Sequence, residues 1–475
     1  MRKIKTNVDF INRERELQVL ESLWRSHGAQ LVVIYGKRRV GKTSIIKKFI
    51  SDKPAIYFLA DNLPESYNLR MLGEVVGHHF KDFHLSETGF TGWYQFFRYI
   101  KDKAKERIVI AIDEFPYLAA TNDAISSVFQ KGWDEYLSGT KVMLILCGSS
   151  VAVMESETLA HKAPLYGRRT GQLHVKVMPF TEVKKFFPGK SMEGCLRFYA
   201  VTGGNPAYLK QLNPKKSVRK NIVEQVLTPG KLLYQEVEFI LRQELREPRN
   251  YLNILRAIAY GRTKLSEIAN DTGIDKSSLH KYLFTLEDLQ LVEREVPVTE
   301  KNPARSKKSL YKLQDQFLKF WFTFAFPYKS ELELGNISLV LKKLDESFEL
   351  LVAENYERVA RDVLRKHPDK IFPFMRVGRW WDRNEEIDIV AVNEDSNEIL
   401  FGEAKWSNKP VGTNIYWDLK RKASLVEWGK PTRKEHFALF SRSGFTEKMK
   451  EVAKEESVFL FVKDKLITPW MVRDG

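Results

Sequence analysis

Residues 32–44 read VVIYGKRRVGKTS, and no other stretch constrains the fold of this chain as strongly. An apolar run ends at Gly36, four residues intervene, and Gly41-Lys42-Thr43 opens an amphipathic segment. A loop with glycine at both ends can curl until its backbone N–H groups surround an anion. Gly36, Lys37, Arg38, Arg39, Val40 and Gly41 are expected to form that cradle. Lys42 would reach the outer phosphates, the Thr43 hydroxyl would ligate Mg²⁺, and Ser44 would lie in the first turn of a helix whose dipole favours negative charge. A buried strand, a tight loop and a helix in this order imply a parallel sheet covered by helices.

The neighbouring sequence extends that sheet. Apolar runs at 31–35, 55–59, 108–112, 142–147 and 173–177 have the length of buried strands, and helical patterns at 43–50 and 124–136 lie between them. The run IVIAI ends in Asp113-Glu114. Asp113 is expected to hold Mg²⁺ through water, and Glu114 to polarise the attacking water of a nucleoside triphosphate hydrolysis. The run at 142–147 ends in Gly148-Ser149-Ser150. Ser149 suits either a γ-phosphate sensor or a helix N-cap. Arg168 and Arg169 are candidates for stabilising the charge that develops on the phosphates. Residues 182–241 have helical patterning and read as a lid on the sheet domain.

Together, FINRERELQVL, GKRRVGKTS, AIDEF, LCGSS, LYGRRTGQ and VTGGNPAYL resemble the archaeal ATPase family, AAA+-related enzymes of the STAND type. The resemblance covers about the first half of the chain. It implies ATP as the nucleotide, an adenine site near residues 12–16 (Asn12 to Glu16), a lid turn at Gly203-Gly204-Asn205-Pro206, and a switch between ADP and ATP states. Because STAND proteins often lack an arginine finger, it does not secure roles for Arg168 and Arg169.

After residue 250 the patterning changes. LSEIANDTGIDKSSLHKYLFTLEDL, residues 265–289, reads as a helix, a turn at Gly273 and a second helix. Ile268 and Ala269 would pack on Leu279, Tyr282, Leu283 and Leu286. This leaves Lys276, Ser277, Ser278, His280 and Lys281 on the outer face, where a recognition helix meets DNA. A strand-like 291–298, the basic stretch from Lys301 to Lys308 and SLYKL complete a winged helix with DNA as its partner. The aromatic FLKFWFTFAFP that follows reads as packing between domains.

The last part carries a second constellation. In EEIDIVAVNEDSNEILFGEAKWS, Asp388 lies in one strand and Glu403-Ala404-Lys405 ends the next. Alternation puts Glu403 and Lys405 on one face, and a hairpin would bring Asp388 beside them. Asp388, Glu403 and the Ala404 carbonyl could hold Mg²⁺ or Mn²⁺, with Lys405 activating a water against a phosphodiester. Glu354 or Glu357, on a preceding helix, could complete the shell. The arrangement resembles PD-(D/E)XK nucleases, and FPFMRVGRWWDRNEEIDIVAV with ILFGEAKWSNKPVG looks like a domain of unassigned function that follows archaeal ATPase modules. That resemblance implies Glu357, in Asn355-Tyr356-Glu357-Arg358, as the first carboxylate, with Lys420 and Lys422 assisting at phosphate.

The net charge of +16 favours a polyanionic partner. Cys147 and Cys195 are too few for a disulfide framework or a zinc site. The N-terminal MRKIKTNVDF has no apolar run behind its basic residues, and no stretch is long enough to cross a bilayer, so a cytoplasmic protein without membrane contact is expected. A homo-oligomer is compatible with this reading. The expected fold is α/β. It comprises a P-loop ATPase core at 1–180, a helical lid at 181–244, a winged helix at 245–330 and a restriction-endonuclease-like domain at 338–475. The expected function is ATP hydrolysis with DNA binding, coupled to metal-dependent DNA cleavage. The alternative is a STAND-type scaffold whose nuclease-like domain is catalytically silent.

Overall fold

The computed structural model describes residues 10–161, 163–245 and 247–468. The basic start of the chain, 1–9, on which the reading of the N-terminus rests, lies outside the described residues. The chain divides into two compact units. The first holds the residues up to Met178 together with Asn205–Ala207, and the second holds the remainder.

The first unit is built on five parallel strands in the order β2-β3-β4-β1-β5. They are β1 (Gln30–Tyr35), β2 (Ala55–Leu59), β3 (Ile108–Asp113), β4 (Val142–Gly148) and β5 (Gly171–His174). β1, β3 and β4 are buried along their whole length, which is why they read as unbroken apolar runs. Their two faces feed separate cores. Leu31, Val33 and Ile110 pack with Phe96 and Phe129 on one side, and Val32, Ile34 and Val109 pack with Ile45 and Phe49 on the other. The last strand differs from the expected 173–177. It pairs over Val32–Tyr35 from residue 171 and ends at His174, although Val175 N–H still donates to the Tyr35 carbonyl at 2.7 Å. The helix expected over 124–136 is α-helical at Ile125–Gly132 and widens to a π-turn at Trp133–Leu137.

The helical segment read as a lid clusters with the second unit, except for Asn205–Ala207, which cluster with the first. The segment's helix Met192–Thr202 packs on Gln316–Phe324 and Ser338–Leu364. Its Glu193 pairs with Arg442 at 2.9 Å and Lys463 at 3.0 Å, and Arg197 pairs with Glu349 at 2.7 Å. The aromatic stretch becomes the helix Gln316–Phe324, which buries Phe317, Phe320, Trp321 and Phe322 inside this unit.

Helices Leu265–Thr272 and Lys276–Asp288 meet through Gly273, whose φ of 69° supplies the left-handed cap. Ile268, Ala269, Leu279, Leu283 and Leu286 are buried as expected. Tyr282 is half-buried and accepts a hydrogen bond from Asn250. β6 (Val292–Glu295) and β7 (Leu310–Leu313) form an antiparallel ribbon. The long helix Ser338–Leu364 leads to a six-stranded sheet in the order β13-β12-β11-β10-β9-β8. Its strands are β8 (Arg376–Asp382), β9 (Glu385–Asn393), β10 (Glu398–Lys405), β11 (Lys434–Ser441), β12 (Val458–Val462) and β13 (Lys465–Leu466). β8, β9 and β10 form an antiparallel meander. Helix Thr413–Ala423 then crosses over, so that β11 lies parallel to β10. No helix among the described residues is long and apolar enough to cross a membrane.

Candidate functional sites

The first site lies at the C-terminal ends of β1, β3 and β4, where parallel sheets bind their ligands. The loop after β1 has the positive φ values its curl requires: 146° at Gly36, 65° at Arg39 and 99° at Gly41. A Cβ at Gly36 would lie 2.2 Å from the Val175 carbonyl oxygen, so no side chain fits there. Lys42 is 6% exposed and donates to the carbonyls of Gly36 (2.7 Å) and Lys37 (3.0 Å). Burial pulls its ammonium below the usual lysine range, partly offset by Glu114 and Asp113. Helix Lys42–Phe49 starts directly behind the loop.

Asp113 gathers the polar groups. Its Oδ2 accepts from the Thr43 hydroxyl at 2.7 Å and the Tyr57 hydroxyl at 2.8 Å, and its Oδ1 accepts from the Glu114 N–H at 3.0 Å. A hydroxyl beside a carboxylate is the hard-oxygen donor set that suits Mg²⁺. Tyr57 was not anticipated. Its phenol is pushed well above its ordinary pKa by burial and by Asp113. Glu114 has φ 55° and ψ 43°, a left-handed conformation uncommon for a residue with a side chain. Its Oε2 accepts from the Ser149 hydroxyl at 2.8 Å and more weakly from the Ser149 N–H at 3.3 Å. The N-cap role falls to Ser150, which accepts from Val153 N–H, leaving Ser149 to Glu114.

Arg168 is not among these groups. Its Nε donates to both oxygens of Asp134 at 3.0 Å and its Nη1 to the Pro164 carbonyl. Arg169 lies over the Tyr166 ring. Asn12 and Arg13 both have positive φ, and Arg13 donates to the carbonyls of Val40 (2.8 Å) and Lys176 (2.7 Å), tying this turn to the phosphate loop. Within the same unit, Pro206 lies 3.8 Å from where a Gly41 Cβ would stand.

The second site lies in the second unit. Gly402 pairs with Ile389 across β9 and β10, which sets Asp388 beside Glu403. Asp388 Oδ2 accepts from the Ala404 N–H at 3.2 Å, and Lys405 Nζ lies 2.6 Å from Glu403 Oε1. Asp388 and Glu403 are each 7% exposed, and Glu403 Oε2 is buried with no hydrogen-bond partner. Burial, then the nearby Asp388 charge, raises the Glu403 carboxyl above its ordinary range. The same two causes push Glu357 up to about 8. Burial lowers Lys405, but Glu403 outweighs it and the net shift is upward.

An orphaned carboxylate oxygen beside a second carboxylate fits a divalent cation. Nevertheless, among the described residues no three His, Cys, Asp or Glu side chains gather as a metal site. Glu357 therefore does not complete a three-carboxylate shell here. Glu354 pairs with Lys319 instead. Lys422 pairs with Asp418 at 3.2 Å and Lys420 with Glu456 at 2.6 Å. Sequence reasoning missed Arg361, which donates to the Asp388 carbonyl at 2.8 Å. The available signal was its place one helical turn after Glu357.

The outer face of helix Lys276–Asp288 exposes Lys276, Ser277, His280 and Lys281, whereas Ser278 is half-buried. Lys301, Arg305, Lys307 and Lys308 are exposed between β6 and β7.

The parallel sheet, the glycine-bounded loop and the Lys42–Thr43–Asp113 geometry define a P-loop ATPase joined to a helix-turn-helix. Comparison with known proteins gives the particular family. Residues 10–212 match an ATPase domain found predominantly in Archaea. Residues 249–296 match the IclR helix-turn-helix domain, and residues 321–420 match a family of archaeal and bacterial proteins of unknown function. An uncharacterized protein of Methanocaldococcus jannaschii is 35% identical over 425 residues, covering 88% of this chain and 92% of its own length. An uncharacterized ATP-binding protein of the same organism is 52% identical over 46 residues, 10% of this chain and 78% of that one. Among solved structures, the Walker-type ATPase of Pyrococcus abyssi superposes with a TM-score of 0.50 at 22% identity, covering 66% of this chain and 96% of that one. The chain belongs to this archaeal ATPase family.

Proposed function

We propose that this ATPase is a DNA-binding protein whose C-terminal domain is a metal-dependent nuclease under nucleotide control. The domain limits are taken as 1–180, 181–244, 245–330 and 338–475. In the first domain, Lys42 holds the β- and γ-phosphates of ATP while residues 36–44 wrap them. Thr43, and Asp113 through water, would hold Mg²⁺, and Glu114 would polarise the attacking water. Arg168 has no part in this scheme while it is paired with Asp134.

The nuclease reading is carried by one observation. Asp388, Glu403 and Lys405 converge at the end of two paired strands, and one oxygen of Glu403 is buried and unpaired. Support comes from the element order α–β–β–β–α–β with the fourth strand parallel to the third, as in PD-(D/E)XK nucleases. Asp388, Glu403 and the Ala404 carbonyl are the groups that would hold Mg²⁺ or Mn²⁺, which supplies Lewis-acid polarisation of a phosphodiester when bound. Lys405 orients and polarises the attacking water, and Glu357 flanks the pair with a proton-bearing carboxyl.

A second reading, a scaffold whose C-terminal domain binds without cutting, is favoured by the lack of a three-carboxylate cluster among the described residues. The deciding experiment incubates plasmid and linear DNA with Mg²⁺ or Mn²⁺, with and without ATP. It compares the wild type with Lys42→Ala, Lys405→Ala and Glu403→Ala. On the nuclease reading, cleavage is lost in Lys405→Ala and Glu403→Ala while ATP turnover stays within about twofold. Absence of cleavage under every condition leaves the scaffold.

DNA binding itself is assigned to Lys276, Ser277, His280 and Lys281 and to the basic tip from Lys301 to Lys308. Lys276→Ala and Lys281→Ala are each expected to flatten the salt dependence of duplex affinity by about one unit of slope. Unchanged slopes in fluorescence anisotropy would remove DNA from this face.

A further inference from the structure

Three arginines line the approach to the carboxylate site; the helix-turn-helix domain pairs with two of them, Arg358 and Arg379, and Arg379 also pairs with Glu386 of β9 at 2.7 Å. Arg358 and Arg361 follow Glu357 on the long helix, and Arg379 stands on β8. On one side Arg361 holds the Asp388 carbonyl. On the other, two carboxylates come from a different domain. Glu293 pairs with Arg358, and Glu295 lies 3.3 Å from Arg379 and 2.9 Å from Lys312. Glu293 and Glu295 are two residues apart on β6, so strand alternation turns both toward the same surface.

This junction is not packed like a core. Beside the paired charges lies a cavity of about 220 Å³, lined by Glu295, Glu357, Arg358, Arg361 and Arg379 among others. Arg379 Nε is buried and has no partner. Besides these ion pairs, the ribbon is anchored by Val298 N–H donating to the Arg379 carbonyl at 2.9 Å, Arg376 to the Glu300 carbonyl at 3.1 Å, Arg358 to the Gln314 carbonyl at 3.2 Å, Trp381 Nε1 to the Lys308 carbonyl at 3.1 Å, and a Lys308–Asp382 pair at 2.7 Å. Ion pairs taken out of water roughly balance attraction against desolvation, so exchanging one anion for another costs little. A phosphodiester offers arginine the same charge and the same acceptor oxygens as a carboxylate.

We propose that Arg358, Arg361 and Arg379 form a cleft for the DNA phosphodiester backbone beside Asp388 and Glu403, and that Glu293 and Glu295 fill it as carboxylate stand-ins until DNA displaces the ribbon. The cleft deepens the nuclease reading and rests on it for its substrate. Binding and cleavage are therefore read separately.

The full-length protein is titrated with a labelled blunt duplex in EDTA, without ATP. Glu293→Gln/Glu295→Gln is expected to tighten binding about tenfold with an unchanged salt slope, since no carboxylates then compete for the arginines while the number of phosphates contacted stays the same. Adding Arg358→Ala/Arg379→Ala should abolish that gain and flatten the salt slope by about two. A disulfide provides a test that leaves the charges intact. A Cβ at Gly378 would lie 3.1 Å from Val298 Cβ, a few tenths of an ångström short of the usual disulfide span of about 3.5–4.5 Å, which a small shift of the ribbon supplies. Oxidised Val298→Cys/Gly378→Cys should pin the ribbon and give a salt slope about two units shallower than the same protein after reduction. Equal slopes in the oxidised and reduced protein, or unchanged affinity in a folded Glu293→Gln/Glu295→Gln variant, would overturn the proposal. Tighter binding with no cleavage on adding Mg²⁺ would retain the cleft and sink the nuclease reading alone.

Discussion

Each unit holds a glutamate poised at the end of a buried strand, and the two are treated in opposite ways. Glu114 follows β3 in a left-handed conformation, and its Oε2 is taken up by Ser149. Glu403 lies within β10, and its Oε2 is buried with nothing to accept from. Around Glu114 the polar groups satisfy one another: Thr43 and Tyr57 bond Asp113, and Lys42 is held by loop carbonyls. Around Glu403 like charges crowd, and Lys405 offsets only one oxygen. A self-satisfied polar network is a stable resting arrangement. An orphaned carboxylate beside another is a cost that a cation would relieve.

The largest expected effect tests the first half of this contrast. Lys42→Ala should lower steady-state ATP turnover by about a thousandfold, the scale at which one preorganised charge on a transferring phosphoryl group acts. Phosphate release at saturating Mg·ATP measures it. Residual turnover within tenfold of the wild type would mean that the Lys42 ammonium is structural, serving the Gly36 and Lys37 carbonyls rather than the nucleotide.

The two sites also differed in how well the sequence disclosed them. The phosphate loop is contiguous, and glycine is enforced at Gly36 by the Val175 carbonyl, so spacing alone identified it. Asp113 was legible because β3 is buried on both faces and reads as one apolar run. Tyr57 was not, because its hydroxyl reaches Asp113 only through the β2–β3 pairing, and a tyrosine in a strand carries no local mark of that. In the second site, Glu403 and Lys405 followed from alternation, and Asp388 followed from a hairpin. β8 does not read as a strand in the sequence, because Arg376, Arg379 and Trp381 break the apolar pattern of a buried strand. Those side chains face the helix-turn-helix ribbon, a tertiary partner that sequence spacing does not reveal. The ion pairs of Glu193 and Arg197 were illegible for a similar reason, since they link residues far apart in the chain.

The second half of the contrast is tested by heating the protein without nucleotide. If the unpaired Glu403 oxygen is a cation ligand, Mg²⁺ should stabilise the second unit by about 2.7 kcal/mol at a hundredfold excess over its dissociation constant. Glu403→Gln removes one of two crowded negative charges. It should melt higher than the wild type in EDTA and lose the Mg²⁺ response. Differential scanning calorimetry gives both numbers. A wild-type protein indifferent to Mg²⁺ and Mn²⁺ would place Glu403 with Lys405 as a buried structural pair and strengthen the scaffold reading.

The smallest effect concerns Ser149, and its sign matters more than its size. A hydroxyl donated to a carboxylate oxygen stabilises the charged form and makes that oxygen a poorer proton acceptor. Ser149→Ala leaves Glu114 Oε2 with only the longer contact to the Ser149 N–H. Losing a hydrogen bond worth about 1 kcal/mol should raise basal ATP turnover about fivefold, because Glu114 becomes a stronger general base and is freer to turn toward water. A fall in turnover with unchanged KM would instead make Ser149 a partner of the transferring phosphate. The first site would then also keep a polar group for its ligand, and the difference between the two glutamates would be one of degree.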